Sequence, residues 1–205
     1  MESRWDKTPV IKYFTGLARN RLDADVSEDD FQRFVFVWDG LAYITNRLLF
    51  IREPVEMEDQ MVQIYQKPLF PSDFRGDKPL EPDFLANHWK TLVGQAGEQW
   101  EGVIPKGFEA KDIYDRAQFF RSQEVEFFCD LPDEHEWLFQ AVFLADIFRR
   151  IPTAWVKVYL PDWSKFDAGP PGDEHGIAGF QWDGGEGNPQ KRIAGEALVR
   201  VTRMK

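Results

Sequence analysis

The chain has 205 residues, 43% of them hydrophobic, and a formal net charge of -10. That length supports one sizeable core or two small ones, and no run approaches the roughly 20 apolar residues of a membrane-crossing helix. The lone Cys129 rules out a disulfide within the chain, and the opening Met-Glu-Ser-Arg-Trp-Asp-Lys lacks the apolar stretch of a signal peptide, so a cytoplasmic location is expected.

Pro9 suits the first turn of a helix, with Thr8 as its N-cap. On a helix from there to about Asn20, Val10, Ile11, Tyr13, Phe14, Leu17 and Ala18 share one broad face, and Lys12 and Arg19 lie together on the opposite one. Phe31–Val37 and Leu41–Ile51 read as strands joined at Asp39-Gly40, a strong hairpin signal. Phe34, Phe36 and Trp38 alternate with Val35 and Val37, so both faces of the first strand are apolar, as in a sheet covered on both sides or one with a face used in an interface. Val55–Tyr65 adds a further strand.

From Lys67 to Pro82 prolines and charges dominate, as in a surface loop. Pro82-Asp83 then introduces a short helix, Phe84–Val93, followed by an irregular stretch, Gly94–Gly107. Ile113–Phe120 reads as a helix and Val125–Leu131 as a strand. The apolar arc Phe143, Leu144, Ile147, Phe148 and Ile151 predicts a helix over Glu134–Ile151, with Asp146, Arg149 and Arg150 on its polar side. Strands follow at Ala154–Leu160, Ile177–Trp182 and Gly195–Met204, separated by Gly/Pro-rich loops. Each end of the chain thus presents a helix with basic residues on its polar side, then a run of short antiparallel strands. That order looks like an internal repeat in architecture, although the two sequences are not visibly alike, and a helix on one face of such a sheet makes an α+β layer.

The net charge argues against a nucleic-acid ligand, because phosphate contacts require Lys and Arg. Its distribution is uneven. Lys7, Lys12, Arg19 and Arg21 have no acidic residue among them, and Lys191–Lys205 holds five basic residues against Glu196 alone. Glu109–Glu136 holds nine carboxylates. Such segregation can place a positive face on an acidic body, although clustering of solvated charges gives the same pattern.

Catalytic signals are sparse. His88, His135 and His175 have no metal-ligand spacing, and Cys129 in an apolar strand reads as a small core residue. Asp173-Glu174-His175 reads as a solvated loop before it reads as a metal site. Gly184-Gly185-Glu186-Gly187 lacks the flanking Lys-Ser/Thr of a phosphate loop, and no Gly-x-Ser-x-Gly element occurs. A non-enzymatic protein without cofactor or metal is expected.

Two stretches resemble the DNA sliding clamps of the bacterial beta and phage types. The first is Trp38-Asp39-Gly40-Leu41-Ala42-Tyr43-Ile44-Thr45-Asn46-Arg47-Leu48, similar to the family's Asp-Gly turn and the Ala-Thr-Asp/Asn-Gly-His-Arg-Leu-like strand after it, with Thr45, Asn46, Arg47 and Leu48 matching loosely and the Gly-His absent. The second, and closer, is Phe139-Gln140-Ala141-Val142-Phe143-Leu144-Ala145-Asp146-Ile147-Phe148, like the opening of the final clamp repeat, with Val199-Arg200-Val201-Thr202-Arg203-Met204-Lys205 standing where clamps close on Met-Pro-Met-Arg. Trp100-Glu101-Gly102-Val103-Ile104-Pro105 adds a third, shorter likeness.

The resemblance implies a clamp-like α+β domain over residues 1–205. It would hold two helix-plus-antiparallel-sheet units, about 7–66 and about 132–205, with 67–131 as elaboration. It also implies a homo-oligomer that contacts duplex DNA without sequence preference and engages replication proteins. Carried over by position, Lys12, Arg19, Arg149 and Arg150 would face the DNA backbone. A partner-peptide pocket would involve Ile177, Phe180, Val199 and Met204, residues that equally suit a buried sheet. The alternative is an acidic protein-interaction module, such as a phage or defence protein binding a host factor, with surface tryptophans such as Trp163 as anchors. A hydrolase using scattered carboxylates has no paired motif to support it.

Overall fold

A computed structural model of the chain describes residues 31–63, 80–102, 105–124, 127–131, 134–149, 154–165, 175–183 and 194–203. The fold is mixed α+β, and its described strand pairings are antiparallel. The chain divides into two compact units, Met1–Thr91 and Leu92–Lys205. The helix expected at Thr8–Asn20 lies outside the described residues.

In the first unit, β1 (Phe34–Trp38), β2 (Leu41–Thr45), β3 (Leu49–Pro54) and β4 (Gln60–Gln63) pair in the order β4-β1-β2-β3. The β1–β2 turn is the expected two-residue Asp39-Gly40. Both residues have positive φ, 49° and 70°, which matches the right-handed twist of a hairpin. Phe34, Val35, Phe36 and Val37 are all buried, so the sheet is covered on both faces.

The single long strand expected over Leu41–Ile51 is instead two. Asn46 breaks it: its side-chain oxygen accepts from the backbone N–H of Leu48 at 3.1 Å and of Leu49 at 2.8 Å, and Arg47 turns through φ 75°. The Thr45 hydroxyl accepts from Arg47 N–H and donates to the Leu49 carbonyl. Local side-chain bonds of this kind offer the backbone an alternative to the ladder.

Helix α1 (Phe84–Gln99) is longer than the sequence predicts. Gly94 and Gly97 suggest a break, since each costs up to about 1 kcal/mol in a helix relative to alanine. Tertiary packing overrides that cost: Leu85, Trp89 and Ala96, at helical spacing, are all buried. Within the first unit, Trp89 meets Phe50 and Tyr43 edge-on, with ring centroids 5.0 and 6.4 Å apart, and the Arg52 guanidinium lies 4.7 Å over the indole. The helix therefore seats on the Tyr43–Phe50–Arg52 face of the sheet.

The second unit holds β5 (Lys106–Glu109), α2 (Ala110–Ser122), β6 (Phe127–Leu131), β7 (Glu134–Gln140), α3 (Ala141–Phe148), β8 (Trp155–Tyr159), β9 (His175–Trp182) and β10 (Gly195–Arg203). Its strands run β6-β7-β10-β9-β8-β5. The expected helix over Glu134–Ile151 is corrected here: residues 134–140 are a strand, and the helix begins only at Ala141. Trp137 and Phe139 are buried while Leu138 and Gln140 are less so, a period of two that the 3.6-residue arc farther on obscures. Gly94–Gly107, expected to be irregular, ends in β5. The core gathers on Phe180, whose ring lies 6.1 Å from Phe139 and 5.3 Å from Phe148.

The end of α1 is fastened within this second unit. Beyond Tyr159↔Gly179, where the β8–β9 register ends, side chains take over the pairing of β9. Ile177 N–H donates to Gln99 Oε1 at 3.2 Å, and the Trp100 indole N–H donates to the Ile177 carbonyl at 2.7 Å. The indole lies flat enough on Gly179 that a Cβ there would sit 2.9 Å from a ring carbon.

Candidate nucleic-acid interface

The second unit is built around two strand-to-helix corners, and they are alike. In Phe108-Glu109-Ala110 and Phe139-Gln140-Ala141, a strand passes into a helix with no intervening loop. The corner residue has φ -69°, ψ 122° at Glu109 and φ -72°, ψ 114° at Gln140, and neither makes a side-chain cap. The surrounding pattern repeats as well. Phe108, Ala110, Ile113 and Ala117 are buried in one half, as are Phe139, Ala141, Leu144 and Phe148 in the other. Each phenylalanine is buried near the end of its strand, each alanine is buried at the first helical position, and the residues three and seven further on fall on the same helix face.

Pairing between the halves is reciprocal. The strand after α2 (β6) pairs with the strand before α3 (β7), and the strand after α3 (β8) pairs with the strand before α2 (β5). Helices α2 and α3 pack side by side. Even the orphan N–H at the start of α2 is met across this arrangement, as Ala110 N–H donates to the Ala154 carbonyl at 2.9 Å.

The helices differ in what they offer solvent. Helix α3 is short and apolar, and its buried Phe143, Leu144, Ala145, Ile147 and Phe148 leave Arg149, at the C-cap, as its exposed basic group. Helix α2 is amphipathic. Its outward residues include Lys111, Asp112, Asp115 and Arg121, with Arg116 partly covered. Lys111 pairs with Asp115 one turn on, and that carboxylate holds its ammonium above the ordinary lysine range. Phe119 stands 61% exposed on the same helix. In the sequence Lys111, Arg116 and Arg121 are outnumbered by the nine carboxylates of Glu109–Glu136.

Of the four residues assigned to DNA by resemblance, Arg149 is exposed as expected, and Lys12, Arg19 and Arg150 lie outside the described residues. Of the four assigned to a peptide pocket, Phe180 and Val199 are 1% and 0% exposed on the face toward α3, Ile177 is half-buried beneath Trp100, and Met204 lies outside the described residues. Phe180 and Val199 therefore belong to the core as the molecule stands. Trp163, expected as a surface anchor, is buried, with the Arg203 guanidinium 5.9 Å from its ring; among the described residues the exposed tryptophan is Trp155, at 59%.

Among the described residues no group of three or more His, Cys, Asp or Glu is placed to hold a metal ion. His88 stacks on Phe50, and His175 Nδ1 lies 3.1 Å from the Thr202 hydroxyl. Among the described residues the strongly perturbed carboxyl is Glu53 on β3, 5% exposed, which burial pushes up to about 8. It faces the side of the sheet that carries Val37, Ala42 and Ile51, away from the Tyr43–Phe50–Arg52 face. Among the described residues no helix is long and apolar enough to cross a membrane. No protein-family model matches the sequence, and no curated protein matches it.

Proposed function

We propose that the chain is a sliding-clamp-like, non-catalytic scaffold that associates with duplex DNA through basic groups on its helices and works as a homo-oligomer with replication proteins. The observation that carries this reading is the reciprocal pairing of β5-α2-β6 with β7-α3-β8. Two like strand–helix–strand elements, each pairing its trailing strand with the other's leading strand, are what an approximate twofold repeat of helix-on-sheet halves requires. Both helices then fall on one side of the unit, where side-by-side packing makes a continuous surface. The Phe-Glu-Ala and Phe-Gln-Ala corners add a sequence trace of the same repeat.

Among the described residues, Arg149 is exposed at the C-cap of α3, and α2 carries the basic residues Lys111, Arg116 and Arg121, with Lys111 paired to Asp115. Interspersed Asp112 and Asp115 keep the attraction shallow, which suits a protein that slides rather than grips. Contacts of this type position the duplex and read no sequence. Lys12, Arg19 and Arg150 join the set by resemblance alone.

The test is light scattering combined with duplex binding across a salt series. The reading expects an oligomer whose affinity for duplex falls steeply with salt and is indifferent to sequence. A monomer that ignores duplex at low salt overturns it and favours the second reading, an acidic protein-interaction module. The specific observation behind that alternative is Trp155, the kind of large, exposed aromatic that anchors protein interfaces.

A further inference from the structure

We draw no further inference here: the strongest candidate, the surface patch around the exposed Trp155 and its neighbour Lys157 on β8, carries nothing because nothing in the structure shows what covers it.

Discussion

The first unit and the second both set a helix against an antiparallel sheet, yet they use different chemistry. In the first, the helix–sheet contact mixes rings with a cation, Arg52 over Trp89, and the sheet's other face buries an ionisable carboxyl, Glu53. In the second, the described ring contacts are hydrocarbon, with Phe139 and Phe148 each set against Phe180. Burial of apolar surface is almost indifferent to pH, whereas a buried acid ties stability to its protonation. Stability in the two units should therefore respond to different variables.

The largest effect should come from the hub of the second unit. Phe180→Ala removes a ring that touches both β7 and α3, and such truncations cost about 3–5 kcal/mol. Denaturant unfolding at pH 6 and pH 9 should show a similar loss at both. A loss that changed strongly with pH would mean that the second core is not the purely apolar one its contacts describe.

Glu53 gives the converse. Its folded pKa, about 8, lies above the usual 4.5, so the folded state holds the proton more tightly than the unfolded one. Stability from this group is complete below about pH 4.5 and is lost as pH rises through about 8. At 1.36 kcal/mol per pKa unit, tempered by local opening that admits water, the loss is roughly 2–4 kcal/mol. Glu53→Gln should flatten the stability profile between pH 5 and 9 and exceed the parent at pH 9. An unchanged slope in the variant would show that Glu53 is solvated in solution.

How much of this was legible in the sequence depends on whether neighbouring residues or distant ones decide the structure. The Asp39-Gly40 hairpin could be read because two adjacent residues set the turn. Asn46 does not announce a break in sequence because Leu41–Ile51 is apolar on both sides of it; its side-chain bonds to Leu48 and Leu49 make the break. Phe139-Gln140-Ala141 reads in sequence as part of a helix, since the apolar arc of α3 extends the helical period backward. Its counterpart Phe108-Glu109-Ala110 was hidden, because the charges of α2 make that region look like a solvated acidic stretch. Ala110 and Ala141 are small enough to pass for filler. Their shared role emerges only when β5 is paired with β8 and β6 with β7.

A smaller effect probes how the second unit holds the end of α1. Gly179→Ala would place a Cβ 2.9 and 3.0 Å from two carbons of the Trp100 indole, a rigid group that must move bodily. Overpacking of this kind costs about 1–3 kcal/mol. The displaced indole would also loosen its bond to the Ile177 carbonyl, so Trp100 fluorescence should shift along with stability. Trp100→Leu in the same chain should recover part of the loss, because the smaller side chain leaves room for the methyl group. If the pair is simply additive, the indole does not rest on Gly179.

The smallest effect on stability separates fold from proposed function. Arg149 is exposed at the C-terminus of α3, where a cation also complements the helix dipole, so Arg149→Ala should cost no more than about 1 kcal/mol. If Arg149 meets a phosphate, the same change should lower the slope of log affinity against log salt by about 0.9, the share of one neutralised phosphate on duplex DNA. Trp155→Ala is the matched control, being exposed, uncharged and on a strand. It should leave that salt slope alone. A slope altered by Trp155→Ala and untouched by Arg149→Ala would move the binding surface from the helices to the sheet, and the clamp-like reading would fall with it.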